Sequence, residues 1–131
     1  MFPFLMKKPR RPFEEISLSQ LKEVMSRTFN SARARAKRKA LPFNITVSDL
    51  ASHYIRQQGR CAITGRPLVL KNSVGTIDCD YITVDRKSPK KGYTRNNVQL
   101  VTLQANMAKG RWSQHTLPSL ARDILRTVDH E

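Results

Sequence analysis

The amino-acid sequence predicts an α+β domain in which a small antiparallel hairpin is held between helices. Apolar residues recur at spacings of three and four in three segments, 17–41, 46–58 and 116–129, which is the periodicity of amphipathic helices. Between the second and third segments, residues 82–86 and 98–102 are rich in β-branched residues, as strands are, and a short helical stretch follows. The predicted order in this central part is therefore strand, strand, helix.

Length and charge constrain the class of protein. The chain has 131 residues, enough for one domain, and contains 24 Lys and Arg against 10 Asp and Glu, a net charge of +14. Such an excess of positive charge favours a polyanionic partner, and nucleic acid is the first candidate. No apolar stretch reaches the roughly 18 residues of a membrane span. We expect no membrane partner and a cytoplasmic protein, of a bacterial host cell if a phage encodes it.

The cysteines and the N-terminal residues also favour a cytoplasmic protein over a secreted one. Cys61 and Cys79 are too few for a disulfide-stapled secreted scaffold, and neither belongs to a C-x-x-C pair. We therefore expect reduced thiols and no structural zinc. Residues 1–16 place apolar side chains before basic ones, the reverse of a signal peptide. They are predicted to form a basic, flexible arm before a single domain at 17–131.

The first helix, 17–41, is predicted to be apolar on one face in its first half and basic in its second. Ser17 or Ser19 can cap its start. Alanines then alternate with cations, and the residues expected to contact phosphate are Arg33, Arg35, Lys37, Arg38 and Lys39. A solvated helical face would explain such a run if it stood alone, but the net charge of the chain favours phosphate contact.

The second helix, 46–58, is predicted to begin at a capping box formed by Thr46 and Asp49, and to end at Gly59. His53 lies on this helix, where an ordinary half-buried histidine is the simplest interpretation. After it, residues 61–70 predict a short strand, a turn and a return strand.

The last helix, 116–129, is predicted to complete the core. Thr116 is the expected cap, and Pro118 suits the first turn because its missing N–H has no helical partner there. Its apolar face consists of Leu117, Leu120, Ile124, Leu125 and Val128. Trp112, just before this helix, is also expected in the core, with stacking on a base as the alternative.

The central segment resembles a known family. Asp85, Asn97 and Asn106 fall where members of the HNH, or His-Me finger, nuclease superfamily with a D-H…N…N motif carry their motif residues, and Lys109 follows at N-x-x-K. The block GYTRNNVQLV is also similar to the G-Y-x-x-x-N-V-x-x-V core of many phage HNH proteins. The resemblance covers residues 59–110, the nuclease core. It implies a ββα-metal hairpin and helix packed against flanking α-helices.

The resemblance also implies a site. Asp85 and Asn106 would hold one divalent cation, and Asn97 would tie the loop across the hairpin and orient the base. Two oxygen ligands suit Mg²⁺ or Mn²⁺ rather than zinc. Further cations would hold phosphate: Lys87, Lys90, Lys91, Arg95, Lys109 and Arg111. The implied partner is DNA, double-stranded in the first instance, without a small-molecule cofactor, and nothing forbids or requires a homodimer.

Arg86 departs from the family pattern. The family usually has a histidine there to activate water, because the pKa of histidine, about 6.5, lies near working pH. Arginine, with a pKa above about 12, cannot serve as a normal base. Three interpretations follow: another group activates water, with His115 and His53 as candidates; metal-bound water acts while Arg86 stabilises the phosphate; or the protein binds DNA without cutting it.

Each of these residues also has an ordinary alternative. Asp85 and Arg86 could form a surface ion pair worth about 0–1 kcal/mol, Asn97 could be a turn residue and Asn106 a neutral helix position. The order and spacing of these residues agree with the family motif, however, and the net charge agrees with a nucleic-acid substrate. The resemblance, together with the net charge, therefore implies a metal-dependent DNA endonuclease that hydrolyses phosphodiester bonds. The alternatives are a non-catalytic nucleic-acid-binding accessory protein on the same scaffold and, third, an RNA-binding protein.

Overall fold

A computed structural model describes residues 16–129. The predicted basic arm, residues 1–16, therefore lies outside the described residues except for Ile16. The helices are α1 (Leu18–Arg38), α2 (Val47–Arg56), α3 (Leu103–Lys109) and α4 (Leu117–Asp129), the last preceded by a 3-10 turn, Gln114–Thr116. The strands are β1 (Phe43–Asn44), β2 (Ile82–Arg86), β3 (Tyr93–Thr94) and β4 (Val98–Thr102). None of these helices is long and apolar enough to cross a membrane.

The predicted hairpin is present with the predicted bounds. Strands β2 and β4 pair antiparallel, from Ile82 opposite Thr102 to Arg86 opposite Val98. Every residue of β4 is buried, so the strand lies in the centre of the core. Helix α3 follows without a loop, because the Thr102 hydroxyl accepts a hydrogen bond from the backbone N–H of Ala105 and caps it. The strand, strand, helix order and the α+β class are therefore confirmed.

Helices α1 and α2 cover this hairpin. Helix α1 packs against α2 and β2, and α2 packs against β4. The fully buried side chains of Met25, Leu50 and Leu100 meet in the core, where each contributes roughly 1.5–3 kcal/mol by leaving water. Both helices begin at a capping box, on Ser17 in α1 and on Thr46, as predicted, in α2.

A second, parallel pairing joins β1 to β3, with Phe43 opposite Tyr93. The sequence patterns do not predict it, because two residues carry no periodicity. The backbone N–H of Tyr93 donates to the Pro42 carbonyl at 2.8 Å. At the preceding Gly92, a Cβ atom would lie 2.4 Å from that carbonyl oxygen, so glycine permits the close approach. The pairing attaches the loop between β2 and β3 to the segment that follows α1.

The two strands predicted in 61–70 are wrong, although the turn is present. The backbone N–H of Cys61 donates to the Arg66 carbonyl at 2.7 Å and closes the turn. The flanking residues form isolated bridges rather than a hairpin. Ala62 N–H also donates to the Leu100 carbonyl at 3.0 Å, which fastens the segment to the middle of β4.

The predicted packing of the last helix is also wrong. No residue of α4 is buried, and Leu120, Ile124 and Val128 are 50%, 54% and 54% exposed. Trp112, expected in the core, is 60% exposed. The Ser113 hydroxyl caps the 3-10 turn before this helix by accepting from the backbone N–H of His115, and the Thr116 hydroxyl donates to the Ser113 carbonyl. Helical periodicity indicates that a helix has an apolar face but says nothing about what covers that face.

Candidate functional site

A cleft of about 260 Å³ opens between the C-terminal half of α1, strand β2, the loop after it and the end of α3. It brings together Asp85, Arg86, Asn106 and Lys109 from the central motif with Arg35 and Lys39 from α1. Among the described residues that line it, Asp85 is the one acid and four side chains are cationic. The cleft therefore favours an anionic ligand such as phosphate.

Asp85 is buried and paired with Lys109. Their side chains are 5% and 1% exposed, and the Lys109 ammonium lies 2.7 Å and 2.9 Å from the two carboxylate oxygens. The ammonium also donates to the Arg86 carbonyl. The sequence predicts that Lys109 holds phosphate, but its charge lies against Asp85 instead. The physical reason is that a buried carboxylate requires a neutralising partner.

The chemistry of the oxygen donors fits a divalent cation. Asp85 and Asn106 line the same cleft, and carboxylate and amide oxygens are ligands that Mg²⁺ and Mn²⁺ accept. The Asn106 amide nitrogen donates to the Thr83 hydroxyl at 3.2 Å, which orients its side chain on β2. The Lys109 ammonium stands where a cation bound to Asp85 would place its charge. This position therefore already stabilises positive charge.

Arg86 lines the cleft and also braces the loop that follows it. Its Nη1 donates to the carbonyls of Pro89 and Lys91, the latter at 3.3 Å. Its guanidinium carbon lies 5.4 Å from the ring centroid of Tyr93, within cation–π range. The residue that stands in place of the family histidine is thus held by three partners around the loop.

Asn97 holds the same loop from its other end. It is buried, its amide oxygen accepts from the backbone N–H of Ser88 at 3.0 Å, and its amide nitrogen donates to the carbonyls of Gly92 and Ser88 at 2.8 Å and 3.2 Å. Every polar group of the side chain is therefore used within the loop. This is the cross-loop position that the family resemblance implies.

The two candidate bases lie away from the cleft lining. On α2, His53 Nε2 hydrogen-bonds the Arg95 carbonyl at 3.0 Å and Nδ1 lies 3.4 Å from an Arg56 nitrogen. Burial lowers the pKa of His53 below its ordinary 6.5, and the nearby Arg56 charge adds to that effect. His115 is exposed in the 3-10 turn. Neither ring is among the residues that line the cleft.

Two residues that the sequence patterns do not single out hold Asp85 in place. Gln99 lies directly opposite Asp85 in the hairpin, and its Nε2 donates to Asp85 Oδ2 at 3.0 Å and to Gln114 Oε1 at 2.9 Å. A lone glutamine in the apolar run VQLVT is the signal that could have identified it. Gln114 joins the 3-10 turn before α4 to the same hydrogen-bonded group.

Two of the predicted phosphate-binding residues besides Lys109 line the cleft. Arg35 is half-buried, donates to the Val84 carbonyl at 3.1 Å and lines the cleft with Lys39. The other predicted contacts, apart from Lys109, are exposed: Arg33, Lys37, Arg38, Lys87, Lys90, Lys91, Arg95 and Arg111. The loop and the basic end of α1 therefore present positive charge beside the same opening.

A second group of metal-ligating atoms lies outside this cleft. The ligand atoms of Asp78, Cys79 and Asp80 lie within 4.8 Å of one another. Two of these side chains have partners, since Asp78 accepts from the backbone N–H of Asp80 at 2.8 Å and Asp80 pairs with Arg66 at 3.5 Å. Local hydrogen bonding explains the cluster. The other cysteine, Cys61, is buried and accepts from the N–H of Thr102 through its sulfur.

Comparison with known proteins shows a similarity of fold. No protein-family model matches the sequence, and no curated protein matches it. Among solved structures, the chain is similar to the rare-cutting HNH restriction endonuclease PacI, with a TM-score of 0.60 and 17% sequence identity over 93% of this chain and 95% of that chain. The protein therefore has the fold of an HNH endonuclease, as the sequence resemblance implies.

Proposed function

We propose that the protein is a metal-dependent endonuclease that hydrolyses phosphodiester bonds of double-stranded DNA in the cleft between α1, β2 and α3. One observation carries the proposal: in a fold similar to that of an HNH endonuclease, Asp85 of β2 and Asn106 of α3 line one cleft together with four cationic side chains. PacI, which has a similar fold, is described as a restriction endonuclease that perturbs DNA. The net charge of +14 supports a polyanionic substrate.

The residues divide the work of cleavage between them. Asp85 and Asn106 would hold one Mg²⁺ or Mn²⁺, which when bound would stabilise charge on the scissile phosphate and lower the pKa of a water molecule. Arg35 and Lys39 would hold the phosphate from the α1 side, as their place in the cleft allows. Asn97 keeps the loop in one conformation through its three hydrogen bonds.

Of the three interpretations of Arg86, the geometry favours the one in which metal-bound water acts while Arg86 stabilises the phosphate. Among the described residues that line the cleft, none has an unperturbed pKa near neutrality. Arg86 is the residue nearest in sequence to Asp85 that carries charge into the cleft, and its hydrogen bonds to the loop hold it there. Its role would be to stabilise the charged phosphate.

The test is plasmid nicking by purified protein with Mg²⁺ or Mn²⁺. We expect wild type to nick, and Asp85→Asn and Asn106→Ala to be slower by roughly 100-fold or more, because charge stabilisation at the phosphate is lost. Asp123→Asn is the matched control, since it removes an exposed carboxylate on α4. Unfolding curves of each variant separate lost chemistry from lost folding. Intact plasmid with wild type across several metals would show that the protein is not a nuclease.

The second candidate function is a nucleic-acid-binding module that does not cut. The Lys109 ammonium on Asp85 and the arginine at the base position favour it. It predicts salt-sensitive binding that is indifferent to metal and to Asp85→Asn.

The variant Arg86→His tests the role of Arg86. A large rise in its cleavage rate over wild type would indicate that a histidine base has been lost, and a fall would indicate that the arginine has a role of its own. Competition between DNA and RNA of equal length tests the nucleic acid preferred.

A further inference from the structure

A buried lysine already occupies the carboxylate to which the proposed cation would bind. We propose that Lys109 is a built-in competitor at Asp85, so that a divalent cation loads only when the ammonium moves off the carboxylate, and that Lys109 thereby lowers the metal affinity of the free protein. The proposal rests on the proposed function for the identity of the site. It concerns binding, however, and can be tested without cleavage.

The first argument is the occupancy of the carboxylate. The Lys109 ammonium contacts both oxygens of Asp85, at 2.7 Å and 2.9 Å, and Gln99 donates to the second oxygen at 3.0 Å. Neither oxygen is left without a donor. A cation that takes an oxygen lone pair must therefore replace one of these hydrogen bonds, and the contact to Lys109 is the one that carries like charge.

The second argument is electrostatic. Lys109 and Asp85 are both almost fully buried, so water screens a second cation beside the ammonium poorly. The cleft supplies one carboxylate against four cationic side chains, so no other acid on its lining compensates the added charge. Metal and ammonium therefore exclude one another at Asp85. An entering phosphate brings negative charge to the cleft and favours both cations at once.

The third argument is that the Lys109 ammonium has a second hydrogen-bond partner besides Asp85. The ammonium also donates to the Arg86 carbonyl, at the edge of the same cleft. When the ammonium leaves the carboxylate, it keeps this partner and stays in the cleft that Arg35 and Lys39 also line. The predicted phosphate contact of Lys109 then belongs to the metal-loaded state, while the Asp85 pair belongs to the free protein.

The test measures Mn²⁺ binding by titration calorimetry, without DNA. We expect Lys109→Met, which keeps the length and removes the charge, to bind Mn²⁺ at least about tenfold more tightly than wild type, because the competing cation is gone. Its melting temperature should lie below that of wild type without metal and rise more on adding Mn²⁺. Lys22→Met, an exposed lysine on α1, controls for net charge, and Asp85→Asn/Lys109→Met should show no Mn²⁺ stabilisation.

A measurement on wild type decides the matter if Lys109→Met does not fold. In NMR spectra of ¹⁵N-lysine-labelled protein, the buried Lys109 ammonium should give a signal whose chemical shift changes with Mg²⁺ concentration until the site is saturated. The signal is assigned to Lys109 by its absence from the spectrum of Lys109→Met or, if that variant does not fold, of Lys109→Arg. Equal Mn²⁺ affinity of wild type and a folded Lys109→Met, or an ammonium signal that ignores saturating Mg²⁺, overturns the proposal. Tight binding by Lys109→Met without any plasmid nicking by wild type would reject only the nuclease function.

Discussion

At the scale of the residue, Arg86 illustrates how one substitution changes what a motif position can do. A histidine there could exchange a proton near neutral pH, whereas a guanidinium keeps its proton. Arg86 donates instead to the carbonyls of Pro89 and Lys91 and lies over the ring of Tyr93. The position after Asp85 therefore fixes the loop and presents a permanent charge to the cleft.

His53 gives a prediction at the same scale. Nε2 faces a carbonyl and Nδ1 faces the Arg56 guanidinium, so the contacts suit the neutral ring with its proton on Nε2. Burial first, and then the Arg56 charge, lower the pKa of His53 below 6.5. The unfolded chain therefore binds more protons than the folded chain at moderately acidic pH, and this part of the stability is present above pH 6.5 and lost as the pH falls below it.

We expect the folded-state pKa of His53, measured by NMR titration, to lie below its ordinary value of 6.5. Thermal unfolding between about pH 7.5 and about pH 5.5 should then show a smaller loss of stability in His53→Gln than in wild type. His115→Gln, which replaces an exposed histidine in the same way, is the matched control for the change of side chain. An unchanged slope in His53→Gln would mean that the ring is not held neutral.

At the scale of the element, the loop between β2 and β3 depends on glycine at one point. A Cβ atom at Gly92 would lie 2.4 Å from the Pro42 carbonyl oxygen and 2.8 Å from the Pro42 Cβ, both within an ordered segment. We expect Gly92→Ala to lower the free energy of unfolding by about 1–3 kcal/mol, the usual cost of overpacking, as measured by urea denaturation. Lys91→Ala, an exposed neighbour, should change it little.

The same substitution should affect the site, because Gly92 also accepts from Asn97 at 2.8 Å and precedes the ring that lies under Arg86. A displaced loop would move both braces. Equal stability of Gly92→Ala and wild type would contradict the close contact between this loop and Pro42, and with it the pairing of β1 with β3.

Patterns among neighbouring residues predicted most of the helices and strands. They did not predict pairings between residues far apart in the sequence. The bounds of β2 and β4 follow from β-branched runs, and the start of α2 follows from Thr46 and Asp49, three residues apart. These depend on neighbours in the sequence. The pairing of β1 with β3 joins segments about fifty residues apart through two residues each, and no periodicity marks it.

The candidate site shows the same division. The family resemblance placed Asp85, Asn97 and Asn106 in one hairpin and helix, but the partner of each depends on the packing. That Lys109 would lie on Asp85 follows only when α3 is seated on β2 with both side chains buried. For α4 the sequence pattern predicts a buried apolar face, but no residue of the helix is buried and it contacts mainly the turn before it.

At the scale of the whole molecule, four cationic side chains line one opening. The basic end of α1 and the loop after β2 flank the cleft, while the chain carries a net charge of +14. Such an arrangement attracts a polyanion over a distance and aligns it with the cleft, and salt weakens the attraction. A binding surface of this kind has a measurable signature in the salt dependence of affinity.

We expect the affinity for a duplex of about 20 base pairs, measured in EDTA, to fall linearly on a plot of log K against log salt, with a slope of about −0.9 for each phosphate neutralised. The variant Lys39→Gln/Lys90→Gln removes one cation from the cleft and one from its flanking loop, and should make the slope shallower by about 2. The control Lys22→Gln/Lys71→Gln removes the same charge from exposed lysines that the proposal does not use. An equal change in both variants would indicate that DNA is held by overall charge and not at this cleft.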